Sequence, residues 1–291
     1  MKVKASCFVC LLERALRILQ LLSEDERVVI EALRQVANML VEEFTQQSIP
    51  AILGTKRERI IAEKTGVKDP YRTLKEESNK VAQEVAQKVF SSVSLDDLTY
   101  ENFRRMMILA AAANAVEWFV KGYEFSLETF ENELTTSINN LAIDDSKELY
   151  NSVSKANRIL YILDNAGEAV IDLYAVRYLS KFSNKIYVGA RASPVLNDIT
   201  VEEAKLLGFE EVAELVPVGD LVGVVLEYST EKFKETLSDS DLVIAKGMGA
   251  YETLTEYKLE KPVYVLLKAK CEPIAKSLGV RQGSLVIKRL F

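Results

Sequence analysis

From Asn157 onward, short β-rich runs alternate with amphipathic helices, and this alternation restricts the fold more than any other feature of the chain. The strand candidates are residues 159–163, 185–190, 211–215, 242–245, 263–267 and 284–288. Helical patterns fill most of the gaps, at 169–182, 201–207, 230–237, 251–257 and 272–278. Such alternation implies parallel strands joined by right-handed helical crossovers. The first half reads differently. Apolar residues recur at helical spacing over 7–22, 25–44, 73–93, 100–119 and 127–141, with Ser126 placed to cap the last. Residues 106–116 are apolar nearly all round, Asn114 excepted, so that helix is expected to be buried. No convincing strand and no internal repeat is visible there. The expected class is α/β: a helical N-terminal domain, residues 1–155, packed on a doubly wound, mostly parallel α/β domain, residues 156–291. No Gly/Ser/Pro-rich linker separates the halves, so a broad interface is expected, with the site in the crevice between them.

The composition excludes several chemistries. The chain has no histidine, so Ser-His-Asp and Cys-His nucleophiles, His-ligated zinc and imidazole acid/base catalysis are all absent. Proton transfer falls to carboxylates, lysine, tyrosine, cysteine or activated water. The net charge of -6 argues against a general nucleic-acid or membrane-surface partner. No apolar run approaches the ~20 residues that span a bilayer. The first residues lack the apolar core of a signal peptide, so a cytoplasmic location is expected. Three cysteines, Cys7, Cys10 and Cys271, are too few for a disulfide scaffold.

The chemistry gathers at strand ends, where open α/β sheets bind ligands. The first strand runs into Asp164-Asn165-Ala166-Gly167-Glu168, and the second into a polar loop ending Asn197-Asp198-Ile199-Thr200. Asp164, Asn165 and Asp198 make a partial oxygen shell suited to a hard divalent cation, with positions left for water and a phosphate. The competing interpretation is helix capping, by Asp198 or Asn197 near Val201 and by Asp164 or Asn165 near Ala169. A third strand leads into Lys246-Gly247-Met248-Gly249-Ala250-Tyr251-Glu252. Two glycines before a helix let backbone N–H groups approach an anion, and Lys246 adds charge. A plain turn needing positive φ is the alternative. The fourth strand ends in Lys268-Ala269-Lys270-Cys271. A lysine there could neutralise a phosphate, or the two could be a solvated surface pair.

Together these segments resemble the DUF89 damage-control phosphatase family, in particular its archaeal-type branch, which is related in fold to a protein-glutamate O-methyltransferase group. Cys7-Phe8-Val9-Cys10, Asp69-Pro70-Tyr71 and Ala113-Asn114 look like further landmarks, so the resemblance spans nearly the whole chain. It implies a metal-dependent phosphatase acting on small phosphometabolites, such as sugar phosphates or damaged cofactor phosphates. By position it makes Asp164, Asn165 and Asp198 metal ligands, with Glu168 facing substrate or attacking water. Lys246, Gly247, Tyr251 and Glu252 would hold the substrate together with Asn114 and Lys270, and Lys268 its phosphate. The implied cofactor is a divalent ion: Mg, Mn, Ni, Co or Fe. Ala250 departs from the family's usual Asn before Tyr, which bears on substrate identity. An Asp-x-Asp nucleophile signature is absent at this strand end, which favours water as the nucleophile.

Cys7 and Cys10 lie one helical turn apart, and Cys271 follows the proposed phosphate lysines. The three are expected to approach one another at the crevice edge as a soft thiolate site. Thiols buried as small hydrophobes are the alternative. Two other functional classes compete with the phosphatase. An S-adenosylmethionine-dependent carboxyl methyltransferase would expect a glycine-rich loop where Asp164-Asn165 stands. A non-catalytic sugar-phosphate-binding protein would bind without turnover.

Overall fold

The computed structural model describes residues 1–115, 126–136 and 141–291. Among these, helices come first: α1 (Ala5–Leu22), α2 (Glu26–Glu43), α3 (Pro50–Thr65), α4 (Arg72–Phe90), α5 (Tyr100–Ala113) and α6 (Leu127–Thr136). Strand β1 (Leu141–Asp144) and helix α7 (Ser146–Val153) follow. The alternating part comprises β2 (Arg158–Ile162), α8 (Glu168–Leu179), β3 (Lys185–Ala190), α9 (Val201–Leu206), β4 (Glu214–Pro217) and α10 (Glu231–Asp239). It continues through β5 (Leu242–Lys246), α11 (Gly247–Leu254), β6 (Val263–Lys268), α12 (Glu272–Leu278) and β7 (Leu285–Arg289).

The seven strands form one sheet in the order β1-β7-β6-β5-β2-β3-β4. Every pairing is parallel except β6 with β7. From β2 the chain moves outward through β3 and β4, then returns to place β5 on the other side of β2. The strand order therefore reverses between β2 and β5. A crevice opens at such a reversal, beyond the carboxyl ends of the two strands, because the connections leave toward opposite faces.

Period-two alternation assigns side chains to the two faces. Ile159, Tyr161 and Leu163 pack in one core with residues of α4, α5 and α8. Leu160 and Ile162 pack in another with α10, α11 and α12. Met106 through Ala113 on α5 are all buried, as the apolar run predicts, because this helix lies against α8 on one side and β6 and β7 on the other. Helices α1, α2 and α3 share a separate core, and α3 lies against α11.

Several expectations need correction. The first half does contain a strand: Leu141–Asp144 pairs with β7 at the sheet edge. Four residues are too few to show a period, and the partner lies far along the chain. The helix read over 127–141 is described as far as Thr136, with 137–140 outside the described residues and Leu141 already in the strand; the part of 100–119 beyond residue 115 is described no further. Helix α3 carries no clean apolar stripe, since its buried face includes Gly54, Thr55, Arg57 and Glu58. Strand β4 begins at Glu214 rather than Glu211, which closes a short 3₁₀ turn at Phe209–Glu211.

Candidate active site

The site begins where β2 stops. Leu163 N still donates to Gly189 O of β3 at 2.9 Å, and the chain then turns into Asp164 and Asn165. Ile199 N donates to Asp164 O at 2.8 Å, and Ala166 N to Asn197 O at 2.9 Å. Asn165 and Asp198 form an isolated antiparallel bridge. The loops after β2 and β3 are thus sewn together by backbone bonds, and this carries Asp198 to Asp164.

Capping does not account for these residues. The N-cap of α8 is Gly167, and that of α9 is Thr200, whose hydroxyl and Glu203 form a reciprocal capping box. Asp164, Asn165, Asn197 and Asp198 are each under a tenth exposed. Polar side chains withdrawn from water need partners or a task.

Asn114, at the end of α5, organises the inner side. Its Nδ2 donates to Asp164 Oδ2 at 3.0 Å and to Glu168 Oε2 at 2.9 Å. Its Oδ1 accepts from Lys268 N at 3.1 Å, and its backbone oxygen accepts from Lys270 Nζ at 2.9 Å. Asn165 Nδ2 donates to the same two carboxylate oxygens, at 2.9 and 3.0 Å. Asp164 Oδ1 accepts no hydrogen bond among the described residues. Burial first, then the Asp198 and Glu168 carboxylates, push the Asp164 pKa well above the carboxylate range, while Lys270 and Arg191 pull it down.

Beneath this layer lies a fully buried charge cluster. Lys246 Nζ donates to Glu168 Oε1 at 2.5 Å and to Asp172 Oδ1 at 2.7 Å. Tyr161 also donates its hydroxyl to Asp172 Oδ1, at 2.6 Å. Burial disfavours the lysine's charge, but Asp172 and Glu168 outweigh it and hold its pKa above the ordinary value. Gly247, at φ +80, opens α11 directly against Asp164, and a Cβ there would overlap the carboxylate. Arg191 secures the opposite side, its Nε donating to Asp198 Oδ2 at 2.8 Å and its Nη1 to Leu221 O and Gly223 O.

A cavity of 440 Å³ opens over these strand ends, and Asp164, Asn165, Asp198 and Lys270 line it. Glu252 and the three cysteines form another part of its wall. Six of the expected site residues are not among its lining residues. Glu168 is wholly buried, with three donors on its oxygens, so it faces neither substrate nor water. Lys246 serves Glu168 and Asp172 rather than an anion in the cavity. Gly247 and Asn114 stand behind Asp164. Tyr251 turns its hydroxyl to Ser277 Oγ at 2.8 Å, and Lys268 Nζ pairs with Glu133 at 2.7 Å.

Burial raises the Cys7 pKa and pushes the Cys271 thiol up to about 12. Cys10 is exposed. The thiols share one cavity, yet among the described residues no three His, Cys, Asp or Glu side chains are gathered to hold a metal. Two carboxylates and a carboxamide remain as the candidate oxygen donors. Two carboxylates buried side by side with a carboxamide suit a hard divalent ion whose remaining ligands come from solvent or substrate.

Residues 3–286 match the family model of the damage-control phosphatase ARMT1-like domain. The chain belongs to this family, and its resemblance to DUF89 proteins holds over nearly the full length. It is 34% identical to a damage-control phosphatase of Pyrococcus horikoshii, covering 99% of this chain and 98% of that one. It is 30% identical to a damage-control phosphatase of Archaeoglobus fulgidus over 99% of each, and 33% identical to an uncharacterised protein of Methanocaldococcus jannaschii over 98% and 95%. The crystal structure of a DUF89 family protein from Pyrococcus horikoshii superposes with a TM-score of 0.90 at 34% identity, covering 99% of both chains. These names support a phosphatase role.

Four participants were not singled out from sequence. Arg191 opens the polar loop after the second strand, and only the fold shows that it clamps Asp198. Asn79 on α4 accepts from Gly167 N at 2.6 Å. Arg14 and Arg57, from α1 and α3, line the cavity, and no sequence pattern ties them to strand ends so far away.

Proposed function

We propose that this chain hydrolyses small phosphate monoesters with a divalent cation held by Asp164, Asn165 and Asp198. The observation that carries the proposal is the convergence of these three residues, with Lys270, in one cavity at the β2/β5 reversal. When bound, the cation would supply Lewis-acid polarisation of the phosphoryl group. The protein's own groups supply the rest. Asn114 and Asn165 pin Asp164 through Oδ2, so its other oxygen keeps a fixed position. Arg191 does the same for Asp198. Lys270, buried and anchored on Asn114, offers positive charge to the phosphate, a role the family resemblance implies for Lys268. Asp164 is fixed by amides on one side and Gly247 on the other, which suits a ligand better than an attacking nucleophile. Water then attacks phosphorus, the ester P–O bond breaks, and the alcohol leaves with a proton taken from that water.

The test uses p-nitrophenyl phosphate with protein stripped by EDTA, then resupplied in turn with Mg²⁺, Mn²⁺, Ni²⁺, Co²⁺ and Fe²⁺. Turnover should vanish on stripping and return with at least one ion. Asp198→Ala should stay inactive while unfolding cooperatively. Undiminished turnover in the stripped protein would refute the metal-dependent reading, and absence of turnover with every ion would favour a binding protein or another chemistry.

A further inference from the structure

The residue just before Asp198 has an unused functional group. Asn197 is 3% exposed and lines the cavity. Its backbone oxygen accepts from Ala166 N, but its carboxamide makes no hydrogen bond with any described residue, and Nδ2 is fully buried. A buried amide without partners costs stability, so native structures keep one where it has a use. The backbone points the same way. Leu196, at φ 49, is the one non-glycine with positive φ among the described residues. That conformation is disfavoured for a side chain of this size. It sits at the turn closed by Asp198 N donating to Val195 O, directly ahead of the unpartnered amide.

We propose that Asn197 is a catalytic residue whose amide donates a hydrogen bond to a non-bridging phosphoryl oxygen of the substrate. The assignment rests on the phosphatase reading above and adds to it a neutral donor beside the cation ligands. A carboxamide half-turn about Cβ–Cγ exchanges its two ends with little change of shape, bringing the NH₂ to the cavity face. A donor held there without prior partners has nothing to give up when the phosphate arrives. It meets the charge that grows on the equatorial oxygens as the ester bond breaks. Lys270 supplies charge, whereas Asn197 supplies direction.

The experiment compares wild type with Asn197→Ala and Asn197→Ser, each loaded with the ion that supports turnover. Three quantities are measured: kcat and KM, affinity for inorganic phosphate by calorimetry, and Mn²⁺ affinity. Loss of one preorganised donor should lower kcat by roughly 10²-fold, with a smaller change in KM. Phosphate affinity should fall about tenfold, as for a lost hydrogen bond to a charged group. Mn²⁺ affinity should hold, and thermal stability without ligand should be equal or higher, because an unsatisfied buried amide is gone. A merely structural asparagine would do the reverse: lower stability with kcat and phosphate affinity intact, which would overturn the proposal. A loss of Mn²⁺ affinity as large as that of Asp198→Ala would overturn it too, making Asn197 a metal ligand. Wild-type inactivity with every ion would remove the phosphatase reading itself, an outcome distinct from an active wild type whose variants match it.

Discussion

Glu168 shows how a carboxylate's role follows from what reaches its two oxygens. Amides of Asn114 and Asn165 take one, and Lys246 takes the other. Complete burial keeps water from the remaining lone pair. Replacing Lys246 by Met keeps the bulk but strands Glu168 and Asp172 in the interior without a cation. Breaking one side of a buried ion pair costs about 3–5 kcal/mol. Lys246→Met should therefore lose stability of that order in urea titrations, and unchanged stability would show that the cluster is not held by charge. Glu252 gives a pH signature. Burial, chiefly, raises its pKa from 4.5 to about 7, against the pull of the N-terminal amine and Arg14. Between those values the unfolded chain loses a proton that the folded chain keeps, so stability falls as pH rises. The full shift corresponds to about 3 kcal/mol. Glu252→Gln should gain melting temperature relative to wild type from pH 5 to pH 8, and a constant difference across that range would contradict the shift. Asp164, Asn165 and Asp198 were legible because residue type and strand-end position suffice to name them. The direction of Glu168 was not, since it depends on Lys246, 78 residues away, and Asn114, 54 away.

Elements fit together at the site through close backbone approach. Gly167 caps α8 at φ +77, donates to Asn79 of α4, and would place a Cβ 2.9 Å from that of Ser78. A side chain in this sparsely populated conformation costs about 1–3 kcal/mol before any clash. Gly167→Ala should both lower the melting temperature and weaken Mn²⁺ binding, because α8 begins only three residues after Asn165. Loss of stability with full Mn²⁺ affinity would mean that the α4–α8 junction does not set the metal ligands. Six strands were readable as β-rich runs, although β4 was placed three residues early, and most helices from their apolar periodicity. Helix α3 was not, because its buried face includes Arg57 and Glu58, which pair with each other at 2.6 Å. Strand β1 was not, because its pairing with β7 is a long-range event that no local pattern records.

At the scale of the whole molecule, the sheet sets the site's place and the helical half closes it. The reversal between β2 and β5 opens a crevice, α5 brings Asn114 behind Asp164, and α1 and α3 contribute Arg14 and Arg57 to its walls. No helix among the described residues is long and apolar enough to cross a membrane. The alternation after Asn157 was enough to predict the crevice, whereas the surfaces facing it from the helical half emerge only on folding. On the proposed reading, this crevice holds a catalytic cation on Asp164, Asn165 and Asp198. The most direct measurement is an anomalous difference map from a crystal soaked in Mn²⁺. A single strong peak within coordination distance of all three side chains is the predicted result. A peak among Cys7, Cys10 and Cys271 instead, or no peak in a crystal whose protein binds Mn²⁺ in solution, would contradict it.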